Sequence, residues 1–141
     1  MSLSDSYRET IRMTLAQRAG EPTGASTVAA ATLIIWQLMA AKLEPVIGAR
    51  GVEVLFLRAL HLTSASFPWL AIAHTQRESA ALQVKTQLAQ QEINVATEAA
   101  YNLLVTFTEL LSTLIGESLA ERLLSPVWVP SSGVSRKETV S

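Results

Sequence analysis

The first apolar stripe of the chain recurs every four positions and consists of Tyr7, Ile11 and Leu15. Steps of four place these side chains on one face of an α-helix. Ser6 and Glu9 stand three positions apart, which is the spacing of a capping box, so we predict Ser6 as the N-cap. This helix is predicted to end before Gly20, since glycine is the usual residue just beyond a helix.

The next apolar run carries no charge over residues 22–41, and it predicts a helix over residues 26–43. At about 100° per residue, one narrow sector of this helix contains Thr27, Ala30, Gln37, Ala41 and Glu44. We interpret the run as a deeply buried helix that exposes only this narrow sector to solvent. A membrane span is the alternative, because a span needs about 20 predominantly apolar residues. One proline and two glycines over residues 45–51 interrupt the pattern before a third helix, predicted over residues 51–63.

The second half of the chain has few helix breakers. Ser66 predicts an N-cap and Pro68 fits the first turn of a helix. No glycine or proline then occurs before Gly116. A single helix of that length would reach about 70 Å, which a small domain cannot cover. We therefore predict a turn over residues 90–94 and a last helix over residues 92–124, which the following Ser-Pro pair ends.

These elements predict an all-α protein, an up-and-down four-helix bundle with an additional N-terminal helix and a C-terminal tail. We expect one domain over residues 1–125, of which residues 1–20 form an N-terminal helical arm. Residues 126–141 are predicted to form the tail, with Trp128 as its anchor. Four charged residues on the polar sides of the first and last helices are interpreted as solvated: Arg8, Arg12, Glu98 and Glu109.

A pattern of apolar residues recurs at a constant offset of 68 positions. The matched residues are Leu43, Val46, Ile47, Gly48, Glu53, Leu55 and Phe56 in the first copy and Leu111, Leu114, Ile115, Gly116, Glu121, Leu123 and Leu124 in the second. Duplicated helical hairpins would produce this match. Pro45 and Gly51 have no counterpart in the second copy, so chance recurrence of common helix residues remains the other interpretation.

Composition narrows the classes of function. The apolar content of 49% with a net charge of −1 excludes disorder for most of the 141 residues. The absence of cysteine excludes a disulfide scaffold and a thiolate metal site. The chain has 11 basic and 12 acidic residues, so it lacks the basic field that nucleic-acid binding uses. The N-terminal residues are polar and show no signal-peptide pattern, so we expect a cytoplasmic location.

The low charge content points to association. Only 16% of the residues are charged, against about 25% in ordinary chains. Little charge is available to cover the surface, which favours burial of part of it against another chain. Since closed dimers are the commonest assemblies, we expect a homodimer or a higher assembly, and an unidentified protein partner in addition.

The sequence offers little catalytic chemistry. His61 and His74 are the only histidines, and neither has the glutamate three positions earlier that carboxylate-bridged metal sites in bundles use. Positions 58 and 71 hold arginine and alanine instead. We therefore predict no metal, no cofactor and no catalytic residue.

One short segment suggests an alternative. Residues 73–80, Ala-His-Thr-Gln-Arg-Glu-Ser-Ala, resemble the active-site motif of histidine phosphotransfer domains, which are helical bundles of similar size. The resemblance implies that His74 accepts a phosphoryl group and that Arg77, at the position of the family's lysine, helps to neutralise it. Glu78 stands where the family has glycine, which adds bulk and negative charge beside the phosphoryl group.

The whole chain also resembles small helical proteins of proteobacteria to which no activity is assigned. The segments that carry this resemblance are Arg58-Ala59-Leu60-His61-Leu62, Phe67-Pro68-Trp69-Leu70, and Leu114-Ile115-Gly116-Glu117 with Arg122-Leu123-Leu124. We expect a non-enzymatic, homo-oligomeric interaction module, such as an adaptor in bacterial signalling. Its expected interaction surface consists of Trp36, Leu111, Leu114 and Trp128. A phosphotransfer protein that uses His74 and a membrane-associated helical protein are the alternatives.

Overall fold

The computed structural model of the chain describes residues 4–20, 24–70 and 79–128. Within these residues every element of regular secondary structure is a helix, which confirms the all-α class. The α-helices are α1 (Asp5–Ala19), α2 (Ala25–Thr63), α3 (Ala80–Ala89), α4 (Ile93–Ile115) and α5 (Glu117–Leu124). A short 3₁₀ turn, Pro68–Leu70, follows α2 at the place where we predicted the start of a longer helix.

Helix α1 begins two residues earlier than the capping-box pattern predicts. Ser4 has extended backbone angles, and its hydroxyl accepts a hydrogen bond from the Tyr7 amide at 3.2 Å, so Ser4 is the N-cap. Ser6 lies within the first turn of α1, so the prediction of Ser6 as the N-cap is wrong. The predicted end at Gly20 is confirmed, because Gly20 has a φ of 70° and its amide donates to carbonyl oxygens of the last turn.

Helix α2 consists of two helical arms, residues 25–47 and residues 49–63, which together form a helical hairpin. Gly48 joins the arms with non-helical backbone angles, φ 83° and ψ 154°. The ring centroids of Trp36 and Phe56 are 4.2 Å apart, although a straight helix would separate these residues by about 30 Å. The second arm therefore folds back along the first, as the predicted interruption between two helices requires.

The predicted turn between the last two long helices is confirmed. Helix α3 ends at Ala89 and α4 begins at Ile93. The predicted single helix over residues 92–124 is wrong, however, because Gly116 breaks it with a φ of 95° and a ψ of 148°. The apolar period continues across the break into α5, which is why the pattern predicts one helix.

The helix boundaries repeat at the same offset of 68 positions as the sequence pattern. The first arm of α2, residues 25–47, corresponds residue for residue to α4, residues 93–115, and each ends at a glycine with a positive φ. The core-facing positions also coincide. Val28, Ala31, Thr32, Ile35, Met39 and Leu43 are buried in the first copy, and Ala96, Ala99, Ala100, Leu103, Phe107 and Leu111 are buried in the second. The structure therefore contains the same helical hairpin twice.

The short helices complete the core between the two hairpins. Helix α1 packs against α2 and α4, and α3 also packs against both. Their buried apolar residues lie one turn apart: Ile11, Leu15 and Ala19 from α1, and Val84 and Leu88 from α3. One apolar cluster joins all five helices.

Candidate functional site

Two ion pairs attach α1 to α4. Arg8 contacts Glu109 at 2.8 Å, and Arg12 contacts the two carboxylate oxygens of Glu98 at 2.9 and 3.5 Å. The Arg12 guanidinium also lies 3.9 Å from the centroid of the Tyr101 ring, a cation–π contact. The interpretation of these four charged side chains as merely solvated is therefore wrong. Sequence patterns along one helix do not show that two distant helices place opposite charges side by side.

A second polar contact joins Trp128, at the end of the described residues, to Tyr7 of α1. The indole Nε1 of Trp128 donates a hydrogen bond to the Tyr7 hydroxyl at 3.0 Å, and the two rings meet edge to face. Burial raises the pKa of Tyr7. The Trp128 hydrogen bond lowers that pKa by a smaller amount, and the charge of Glu121 raises it further. Trp128 thus anchors the end of α5 on α1 of the same chain.

The structure does not bring the four predicted interaction residues onto one surface. Leu111 is fully buried, because it continues the core-facing row of α4, and it is not available to a partner. Trp128 is 9% exposed and packs on Tyr7. Trp36 is half-buried, and its ring contacts those of Phe56 and Phe107. Of the four, Leu114 alone is strongly exposed, at 60%.

The predicted phosphotransfer residues, His74 and Arg77, lie outside the residues that the structure describes. His61, the histidine that is described, is exposed on the second arm of α2. Within the described ranges, no group of three histidine or acidic side chains could hold a metal ion.

A cleft opens where α2, α3 and α4 meet, and we name it the Lys85 cleft. Its lining residues are Ala29, Thr32, Leu33, Trp36, Phe56, Ala81, Val84, Lys85, Leu103 and Leu104. Its enclosed volume is about 10 Å³, room for about one water molecule, and the rest of the space is open to solvent. Among the described residues of the lining Lys85 alone is charged, and no ion pair joins it to a described carboxylate.

The opposite side of the first α2 arm faces outward, and the residues on it form what we name the α2 strip. They are spaced alternately by three and four positions: Thr27, Ala30, Ile34, Gln37, Ala41 and Glu44. This spacing is that of the a and d positions of a coiled-coil seam. The last four are exposed and the first two half-exposed, and Ile34 is 44% exposed. The sequence pattern had placed all of them except Ile34 in one sector.

By length and composition, α2 is the one described helix that could cross a membrane. In its most apolar window, 39% of the residues are buried inside the molecule. Core helices of soluble proteins pass the same test, so this finding is weak evidence for a membrane span.

No protein-family model, no curated protein and no solved structure matches the chain.

Proposed function

We propose that the chain is an up-and-down helical bundle that works as a non-enzymatic, self-associating interaction module, with a homodimer as its working unit. The observation that supports this proposal is the α2 strip. Its residues are spaced as a helix-pairing seam, they are open to solvent, and only Glu44 at one end is charged. A monomer gains nothing from exposing the five uncharged residues of this strip to water, whereas a second helix would bury them.

A second copy is the partner that fits the strip best. In an antiparallel pair about a two-fold axis, Ala30 meets the partner's Ala41, and Ile34 meets the partner's Gln37. Small residues in the first of these layers allow the two helices to approach closely. A seam that pairs with itself needs no second kind of chain, which is the property of an isologous interface.

The position of the Glu44 carboxylate supports the same antiparallel register of the two α2 helices. Helix α2 begins after Gly24, which has no side chain to cap the first amides. The antiparallel register brings Glu44 of each copy to this end of the other copy's helix. A carboxylate at a helix N-terminus is favourable by about 0.3–1 kcal/mol. The two ends of the strip are therefore complementary to each other.

The test is the absolute mass in detergent-free buffer, measured by light scattering after size exclusion over a wide concentration range. We expect a dimer for the unmodified chain and a monomer for Ile34→Glu, because the change places two carboxylates in the seam. Val54→Glu is the matched control, because Val54 is 56% exposed on the other arm of α2. That variant is expected to remain a dimer.

Two results would contradict the proposal. One is a monomeric mass for the unmodified chain at every concentration, with the helical circular dichroism intact. The other is a chain that stays in solution only with detergent and partitions into lipid vesicles, which would assign the apolar face of α2 to a membrane.

A further inference from the structure

The second arm of α2, residues 49–63, has two opposite faces of different chemistry. The buried residues of its inner face are Val52, Phe56, Ala59, Leu60 and Thr63. The exposed residues at the centre of its outward face are Arg50, Val54, Arg58 and His61. At about 100° per residue, these four side chains fall within a sector of about 80°. They therefore form one row along the helix, which we name the arginine stripe.

The two arginines of the stripe have no acidic partner among the described residues. Neither Arg50 nor Arg58 forms an ion pair with a carboxylate there, whereas Arg8 and Arg12 of α1 are both paired with glutamates of α4. Glu53, on the same arm, lies about 60° outside the sector of the stripe. The outward face of this arm thus carries unpaired positive charge, although the net charge of the whole chain is −1.

Apolar surface accompanies the two cations. Val54 lies midway between Arg50 and Arg58 and is more than half exposed. On one flank of the stripe Leu62 is 42% exposed, and on the other flank Leu57 is half-buried. A partner helix laid along the stripe would cover this apolar surface and bring its own side chains within reach of both guanidinium groups.

We propose that the arginine stripe binds an acidic amphipathic helix of a second protein. Arg50 and Arg58 lie eight residues apart, which is about 12 Å along the helix axis. Two carboxylates seven or eight positions apart on the partner helix span the same distance, and an apolar side chain between them packs on Val54. The arginine stripe and the α2 strip lie on different arms of α2, so this proposal does not depend on the dimer.

The number of cations favours a protein partner over a membrane. Attachment to anionic lipids through charge uses clusters of about four to eight basic residues, and the stripe has two arginines. Two arginines at a fixed separation are enough to select a helix, because each guanidinium group binds a carboxylate through two parallel hydrogen bonds. Complementary charge of this kind determines which partner binds and in which register.

The experiment is a calorimetric titration of the full chain with a synthetic helical peptide of about 18 residues. The peptide carries two glutamates seven positions apart and a pair of leucines between them on the same face. We expect saturable binding of one peptide per chain, and weaker binding at high salt. A peptide with glutamine in place of both glutamates is expected to bind about tenfold more weakly, because both charge-assisted contacts are lost.

Variants of the chain locate the contact. Arg58→Glu is expected to weaken binding of the acidic peptide about tenfold or more, because like charges then face each other. Arg122→Glu is the matched control, since Arg122 is an exposed arginine of α5 outside the stripe, and it is expected to bind with unchanged affinity. A peptide with lysine in place of both glutamates is expected to bind the double variant Arg50→Glu/Arg58→Glu and not the unmodified chain.

The proposal is overturned if the acidic peptide shows no saturable binding to the folded chain, or if the acidic and glutamine peptides bind equally. That comparison uses the unmodified chain, so it holds even if a variant fails to fold. Equal losses for Arg58→Glu and Arg122→Glu would also overturn it. Binding to phosphatidylglycerol vesicles in place of the peptide would assign the stripe to a membrane instead.

Two variants keep this proposal distinct from the proposed dimer. Val54→Glu places a carboxylate in the arginine stripe, so it is expected to lose the acidic peptide and to keep the dimeric mass. Ile34→Glu is expected to lose the dimeric mass and to keep the peptide. A failure of one surface is therefore measured separately from a failure of the other.

Discussion

Tyr7 is the residue at which the two ends of the described chain meet. Its hydroxyl accepts the Trp128 indole hydrogen bond, and its ring lies among apolar groups. Because burial favours the neutral phenol, the pKa of Tyr7 lies above its ordinary value of 10.0. The folded chain therefore holds this proton more tightly than the unfolded chain does.

This difference predicts a dependence of stability on pH. The contribution of Tyr7 is complete below pH 10.0 and is lost as the pH rises through the raised pKa of the folded state. We expect Tyr7→Phe to lower the free energy of unfolding by about 1 kcal/mol near neutral pH, since one hydrogen bond is removed. Urea titrations of both proteins from neutral to strongly alkaline pH measure the effect.

The comparison of the two proteins isolates Tyr7 from Tyr101, which is present in both. The stability difference between them is expected to shrink above pH 10.0. A difference that stays constant across this range would show that the Tyr7 proton is not linked to folding.

At the scale of the residue, the sequence could predict which apolar side chains are buried. It could not predict which charged side chains pair with one another. The periodic positions of α1 and α4, such as Ile11 and Phe107, are buried as the pattern indicates. The pairing of Arg8 with Glu109 joins residues of different helices, and no local pattern contains that information. The Lys85 cleft was missed for the same reason, because its lining comes from three helices that are distant in the sequence.

At the scale of the element, two glycines decide where helices end. Gly48 and Gly116 have backbone angles that are almost restricted to glycine, and a Cβ atom at either position would meet nothing within 4 Å. The cost of a side chain there is therefore conformational rather than a clash with neighbours.

We expect Gly116→Ala to lower the free energy of unfolding by about 1–3 kcal/mol. Gly51→Ala is the matched control, because Gly51 lies within the second α2 arm and its added Cβ would sit 3.4 Å from the Ile47 Cβ. Alanine is the better helix former, so this control is expected to be neutral or stabilising by up to about 1 kcal/mol. Urea unfolding followed by circular dichroism separates the two cases. Equal effects of both changes would show that the break at Gly116 is not required.

The helix boundaries show why sequence reasoning succeeded at Gly48 and failed at Gly116. A proline and a second glycine surround Gly48, and together they mark an interruption. Gly116 stands alone between two apolar segments that continue one helical period, so local preference favours an unbroken helix. The match between the two glycines at the offset of 68 positions was the signal for a second break.

At the scale of the whole molecule, the proposed dimer predicts that Glu44 contributes to the affinity between the two copies. If its carboxylate lies at the partner's α2 N-terminus, Glu44→Gln removes two equivalent favourable interactions from the interface. We expect the dissociation constant of the dimer to rise about threefold to thirtyfold at low salt, and less at high salt. Sedimentation equilibrium at two ionic strengths measures it.

Glu53→Gln is the control for this change, because Glu53 is an exposed glutamate on the other arm of α2. It removes the same charge and is expected to leave the dissociation constant unchanged. Equal shifts for both variants would indicate an effect of net charge alone and would contradict the antiparallel register.

The packing between the two halves of the chain has a consequence for folding. Helix α2 of the first half packs against both α3 and α4 of the second half, and α1 contacts α4 as well as α2. Neither half can complete its own apolar interior before the other has been synthesised. In solenoid proteins each repeat rests only on its neighbours and the array can unravel from an end. Here the duplicated units are interlocked, so the chain is expected to fold and unfold as one cooperative body.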